Sequence, residues 1–190
     1  MVLAAGSSQR LGQAKQLLDL NGKTLISHIV EEALESKLGE VFVLTGFKQD
    51  LIRSELQDKR VQYLFVDHWQ EGMGATISKG ISIIESLDYT GVIITVCDQP
   101  SISKEIFVKI SDYVGRSGKG IVFSDYGNGF GPPTYFDRKY FRALTELSGD
   151  IGAKPIILDN LKDAAGIRFS KGGIDIDTMD DYKNYLKNNI

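Results

Sequence analysis

The sequence of 190 residues is poor in the side chains that staple or ligate. Its single cysteine, Cys97, cannot form an internal disulfide or a multi-cysteine zinc site, and His28 and His68 are its only imidazoles. Disulfide-framed extracellular folds and structural zinc modules are thereby excluded. No apolar run approaches the roughly 20 residues that span a bilayer, and the opening MVLAAGSSQR lacks the basic head and long apolar stretch of a secretory signal. A cytoplasmic protein is expected. Positive charge is also in short supply: 22 Lys and Arg against 25 Asp and Glu leave a net charge of −3. That balance provides no broad basic surface for a nucleic-acid backbone or an anionic membrane, so any phosphate-bearing ligand has to be held locally. There are only four prolines and no repeat or low-complexity tract, while 42% of the residues are hydrophobic. One globular domain over residues 1–190 is the expectation.

Short apolar runs alternate with segments of helical period. Strand-like runs fall at Val2–Ala5, Glu40–Thr45, Val61–Val66, Gly91–Val96 and Gly120–Ser124, and helical stretches at Thr24–Ser36, Gln49–Leu56, Ala75–Leu87 and Lys104–Val114. In the first helical stretch Leu25, Ile29, Ala33 and Leu34 make one apolar stripe while Glu31, Glu32 and Glu35 face water. The alternation predicts an α/β fold of three layers around a mostly parallel sheet. A glycine- and proline-rich patch, Tyr126–Pro133, reads as a shaped loop. The closing GIDIDTMDDYKNYLKNNI predicts a short strand, a turn and a last helix capped by Thr178.

The sharpest local feature is Leu3-Ala4-Ala5-Gly6-Ser7-Ser8-Gln9-Arg10-Leu11-Gly12-Gln13-Ala14-Lys15, which leaves the first strand and enters a small-residue loop. Glycines let backbone approach an anion, successive N–H groups form a nest, and Arg10 and Lys15 supply local cations. Lys15 does not directly follow a glycine, so this is no P-loop, and the G-x-G-x-x-G dinucleotide fingerprint is absent. Turn-forming glycines beside solvated charges would explain the same letters. The loop's place, at the C-terminal end of a strand where open α/β sheets bind ligands, favours a polyphosphate site.

Asp98 follows the apolar run Val92–Cys97 at that same edge. It can close a turn or hold Mg²⁺ against nucleotide phosphates. Asp175 and Asp177, spaced i, i+2, would share one face of a strand; both could meet one ion, or one could pair with a lysine. Asp150, taken by its place alone, could start the short helix after Gly152. Gly72-Met73-Gly74 with Thr76 opens a helix, where small residues would admit a ribose or base or merely cap it. Cys97 reads as a small packing hydrophobe, since no Cys/His/Asn arrangement accompanies it. His68 lies nearer the expected cleft than His28.

The Leu3–Lys15 segment resembles the signature L-A-A-G-x-S-x-R-M/L-G-x-x-K of the MobA-like nucleotidyltransferases, particularly the branch that makes cytidine derivatives of the molybdenum cofactor. Glu71–Ile77 (E-G-M-G-x-[ST]-I), Cys97–Pro100 (C-D-Q-P), Gly131–Phe136 (G-x-P-x-x-F), Leu147–Lys154 (L-x-G-D-x-G-A-K) and Asp175–Tyr182 (D-I-D-T-x-x-D-Y) extend the resemblance along nearly the whole chain. It implies a Rossmann-like nucleotidyltransferase fold, with a nucleotide-binding half over about 1–100 and an acceptor-binding half over about 101–190. By the same resemblance Leu3, Ala4, Ala5, Gly6, Ser7, Ser8, Arg10, Gly12, Lys15, Gly74, Thr76 and Asp98 would bind nucleotide, and Arg10, Lys15 and Asp98 would be catalytic. Asp98 and Asp177 would hold Mg²⁺, with Asp175 as the alternative to Asp177; Gly131, Pro133 and Asp150 would meet the acceptor. Ala4-Ala5-Gly6, where the guanosine branch has Ala-Gly-Gly, implies CTP as donor. The acceptor would be molybdopterin carrying Mo, with a molybdoenzyme or its chaperone as a transient partner. A sugar- or polyol-phosphate acceptor and a non-catalytic nucleotide-binding regulator are the alternative readings. Asp67 stands where the family usually has Asn, and Phe130 and Pro132 where relatives often carry a basic residue or His.

Overall fold

A strand of three residues lies inside the sheet, third in its order. The computed structural model describes residues 1–189. β1 (Val2–Ala4) leads into a small hairpin of β2 (Asp19–Leu20) and β3 (Lys23–Thr24), then α1 (Leu25–Glu35), β4 (Phe42–Thr45), α2 (Gln49–Glu55) and β5 (Gln62–Phe65). There follow α3 (Met73–Ile84), β6 (Gly91–Val96), α4 (Lys104–Ser117), β7 (Ile121–Asp125), β8 (Phe130–Asp137), α5 (Phe141–Thr145), α6 (Lys154–Asp159), β9 (Ala164–Arg168) and α7 (Met179–Asn189). Seven strands form one sheet in the order β5-β4-β1-β6-β8-β7-β9. All run parallel except β8, which is antiparallel to both neighbours.

Strand alternation divides the core in two. Val2, Ala4 and Val43 pack with Ile26, Ile29, Val30, Ile52, Ile106 and Ile110 of α1, α2 and α4 on one face. Leu3, Phe42 and Leu44 pack with Ile77, Ile81, Ile84, Phe141, Leu144 and Ile156 of α3, α5 and α6 on the other. This is the expected three-layer α/β architecture. Thr24 caps α1 by accepting from Ser27 N–H at 3.2 Å, an interaction worth about 1 kcal/mol.

Two expectations about irregular segments are corrected. The Tyr126–Pro133 patch is a loop only as far as Gly129, because Phe130–Pro133 open β8. The prolines fit there because the register breaks between Val122 and Ser124 of β7, opposite them, so no ladder bond needs the N–H groups they lack. The predicted strand in GIDID joins no sheet. Ile176 donates its N–H to the Asp98 carbonyl, just past β6, at 2.9 Å, while its side chain is buried with Leu11, Leu18, Leu20 and Leu25. Thr178 does cap α7: its Oγ1 accepts from Asp181 N–H at 3.1 Å, and the Asp181 carboxylate accepts from Thr178 N–H at 2.8 Å.

At its start β1 is shorter than its neighbours. Met1 donates its terminal amine to the Ile93 carbonyl at 2.8 Å and accepts from Thr95 N–H at 2.9 Å, and beside it lies a cavity of about 400 Å³ lined by Val41, Phe42, Gly91, Val92 and Ile93. Burial pulls the amine's pKa down to about 5 from 8.0. An amine with a folded-state pKa below its unfolded one binds protons more readily when unfolded, so its contribution is complete above about pH 8 and is lost as pH falls toward 5. In a chain carrying the free amine at Met1, melting temperature should therefore climb between pH 5 and 8 more steeply than in the Nα-acetylated chain. Parallel melting curves for the two forms would contradict this assignment.

Candidate functional site

The sheet order reverses direction at β1: the chain moves outward from it to β4 and β5, then returns to its other side at β6. Open α/β sheets present their ligand crevice at such a switch, outside the C-terminal strand ends. A cleft of about 510 Å³ opens there, between the loop leaving β1 and the end of β6.

The loop is held from behind. Gln16, 1% exposed, donates its Nε2 to the carbonyls of Ala4 at 2.9 Å and Gly6 at 2.8 Å, while Phe47 N–H donates to the Ala5 carbonyl between them at 2.9 Å. Three successive carbonyls are thus engaged by the protein, which keeps acceptor oxygens out of the space an anion would use. Ser8 and Gly12 take left-handed φ values of +55° and +74° to turn the chain back. The Ser8 hydroxyl then accepts from Lys15 N–H at 3.3 Å, closing the loop on itself.

A charge cluster sits at the mouth. The Lys15 ammonium donates to Asp98 Oδ2 and, at 3.2 Å, to Asp177 Oδ1, and Arg10 donates to Asp177 Oδ2 at 2.8 Å. Burial works against the Lys15 charge, but the Asp98 carboxylate, through its charge and hydrogen bond, and Asp177 more weakly, overcome it and hold the pKa up at about 12. Lys15 stays an ammonium. The Lys15 and Asp98 side chains are 17% and 18% exposed, so their pairing is far less screened than that of Arg10, which is 71% exposed.

The donor set suits a hard divalent cation. Two carboxylates converge, and a cation already lies between them. Mg²⁺ and Mn²⁺ commonly take one or two carboxylates and complete their shell with water and substrate phosphate oxygens.

The opposite wall depends on glycine. Gly72 has φ +110°, and a Cβ there would lie 2.3 Å from Asp150 Oδ1; at Gly74 it would lie 2.5 Å from the Ile151 carbonyl. Gly74 N–H donates to the Gly149 carbonyl at 2.7 Å, so the 148–151 segment lies directly on the start of α3 and brings Asp150 into the cleft. Gly74 is expected from sequence to admit a ribose or base, yet its neighbour is the protein's own backbone. Thr76 lines the cleft and donates its hydroxyl to the Gly72 carbonyl at 3.0 Å, and Gly46 leaves room for the Trp69 indole, whose Cγ would lie 2.6 Å from a Cβ there.

Of the residues singled out in the sequence, Leu3, Ala5, Gly6, Ser7, Ser8, Arg10, Lys15, Thr76, Asp98, Asp150 and Asp177 line this one cleft. Ala4, Gly12, Gly74, Gly131 and Pro133 stand outside its lining: Pro133 is buried, and Gly131 lies against the Tyr126 hydroxyl. Asp175 and Asp177 part company. Asp175 accepts from Gln99 Nε2 at 3.0 Å, and burial pushes its pKa up. Cys97 is buried with its thiol pushed up to about 12, mainly by that burial, which suits packing and not nucleophilic attack. His68 pairs with Asp67 at 2.6 Å and does not line the cleft. Gln16, Gln99 and Trp69 carry no expectation from sequence, and Met73 is named only as part of the Gly72–Gly74 helix start; the one available signal is a glutamine directly after Lys15 and another directly after Asp98.

Gln16→Leu would remove the donor that serves the buried Ala4 carbonyl and the more exposed Gly6 carbonyl. Chemical denaturation should report a loss of about 1–3 kcal/mol. A cost near zero would show the loop to be held by other contacts.

A family model for the MobA-like NTP transferase domain matches residues 1–164. The purine catabolism protein PucB of Bacillus subtilis is 27% identical over 190 residues, spanning 96% of this chain and 91% of PucB. A Mycobacterium sp. strain JC1 homologue of Rv0371c superposes with a TM-score of 0.85 at 30% identity, covering 98% of this chain and 93% of that one. Rv0371c of Mycobacterium tuberculosis H37Rv in complex with manganese gives 0.81 at 24% identity over 98% and 96%. With the fold, the switch-point cleft and this match over most of its length, the chain belongs to the MobA-like NTP transferase family.

Proposed function

We propose that the protein transfers CMP from CTP to a phosphate-bearing acceptor of the molybdopterin type and releases pyrophosphate. The observation that carries this reading is the convergence of Lys15, Asp98 and Asp177 beside the carbonyl-tethered loop. An acceptor phosphate oxygen attacks the α-phosphorus of the donor; the new O–P bond forms as the bond to the β-phosphate oxygen breaks, and pyrophosphate carries away that electron pair. An acceptor phosphate is already ionised near neutral pH, so the reaction needs alignment and charge stabilisation more than a general base.

Each residue then has work of its own. Loop backbone from Ala5 to Ser8 cradles the triphosphate, and Lys15 and Arg10 neutralise charge gathering on the departing pyrophosphate. Asp98 and Asp177 are the residues that would hold Mg²⁺ or Mn²⁺, which when bound supplies further charge neutralisation on the phosphates. The manganese complex of Rv0371c supports a divalent ion. Asp150, presented by the 148–151 segment, faces the cleft from the acceptor side. Ala5, 3% exposed and in the cleft lining, carries a methyl where a glycine would leave more room for a purine; together with the resemblance to the cytidine-specific branch this favours CTP.

The direct test supplies CTP, GTP and ATP with Mg²⁺ or Mn²⁺ to a panel of molybdopterin, sugar phosphates and polyol phosphates, and identifies products by mass spectrometry. A cytidine dinucleotide of the pterin, with stoichiometric pyrophosphate, is the expected product. The Asp98→Ala protein should turn over at least roughly a hundredfold more slowly, as expected when a group that stabilises transition-state charge is lost. No pyrophosphate from any acceptor would sink the enzymatic reading in favour of a binding protein.

Ala5→Gly should shift kcat/KM toward GTP, measured as the CTP to GTP ratio under competition. An unmoved ratio removes Ala5 as the selector.

A further inference from the structure

Both carboxylates read above as holding a divalent ion are engaged by one side chain of this protein. Lys15 places its ammonium against Asp98 and Asp177 at once, and Arg10 occupies the second oxygen of Asp177. We propose that Lys15 is an internal counter-ion standing in the divalent-cation position, displaced by the ion at a cost that falls when a triphosphate offers its ammonium another partner, so that metal and nucleotide bind with strong positive coupling. The inference rests on the nucleotidyltransferase reading and goes beyond it by fixing the order of charge exchange in the cleft.

Three observations carry it. First, the ammonium and a metal ion cannot share the pair of carboxylates without close repulsion, and at 17% exposure solvent screens little of that repulsion. Second, the backbone of Lys15 is fixed at both polar groups: its N–H donates to Ser8 Oγ at 3.3 Å, and its carbonyl accepts from Leu18 N–H at 3.1 Å. The flexible four-carbon stem is therefore the part free to swing, and its anchor is the loop assigned to the triphosphate. Third, two carboxylates are too few to hold a divalent ion tightly alone, and no third His, Cys, Asp or Glu joins them in a metal cluster among the described residues. Phosphate oxygens would complete the metal's shell and, by drawing Lys15 away, vacate its position. Linkage then requires each ligand to tighten the other equally.

The experiment titrates Mn²⁺ into nucleotide-free protein and reads free Mn²⁺ by electron paramagnetic resonance. Lys15→Met and Lys15→Gln, each checked for an unchanged melting curve, should bind Mn²⁺ roughly tenfold or more tightly than wild type, although each has lost a side chain from the cleft. Adding Asp98→Asn to Lys15→Met should abolish the gain. In the wild-type protein, peptide-resolved amine labelling at Lys15 should increase when saturating Mn²⁺ is added alone, a readout independent of any variant's folding. Mn²⁺ affinity that is unchanged or weaker in both variants, or Lys15 labelling unmoved by Mn²⁺, would overturn the proposal. CTP binding in EDTA separates the two readings: Lys15→Met should weaken it, and unweakened CTP binding would remove Lys15 from the nucleotide site whatever the metal titration gave.

Discussion

Two carboxylates and one half-buried lysine, brought together from three distant stretches of chain, are the contact on which the cleft depends. Lys15 lies 83 residues from Asp98 and 162 from Asp177 in sequence, and only the fold can bring them within a hydrogen bond. The protein's net charge is −3, so attraction for a polyphosphate has to be made locally, by setting cations where they are partly shielded from water. In the ligand-free protein those cations need partners, and the carboxylates supply them. The cluster therefore satisfies its own charges without a ligand, and under the proposed function the same groups would receive a metal–triphosphate pair.

What positions the cluster is ordinary sheet geometry. β1 is flanked by β4 and β6 in parallel, so the loop after β1 and the residue after β6 emerge side by side. Gln16 reaches under the loop to hold the Ala4 and Gly6 carbonyls, and Ile176, sunk into a small apolar cluster, fixes the height at which Asp177 arrives. Asp177 has no ladder to hold it; one backbone bond from Ile176 to the Asp98 carbonyl and one buried isoleucine take the place of a strand.

The alternation of apolar strand-length runs with amphipathic helices made the layer order legible, since buried parallel strands and one-sided helices leave strong periodic marks. The loop chemistry was legible for the same reason, small residues and cations being set between a strand and its successor. The tight approach of residues 148–151 to Gly72 and Gly74 was not, because a glycine gives no indication of what will lie against it. Nor was the divergence of Asp175 from Asp177: alternation places both on one face only if the segment is a strand, and here it is an isolated extended stretch in which Asp175 turns to Gln99. Pro132 and Pro133 concealed a strand because the register break that accommodates them belongs to β7, not to their own sequence.

The place of β1 between two parallel neighbours bears on how the molecule is made. β1 waits for β6, more than ninety residues later, to supply its second edge, and the acidic side chain of the cleft most distant in sequence comes from the segment just before α7. Contacts this remote in sequence close slowly and late. Both layers of helices and all seven strands can thus be in place while the ion cluster still lacks Asp177, because its segment follows the last strand of the sheet.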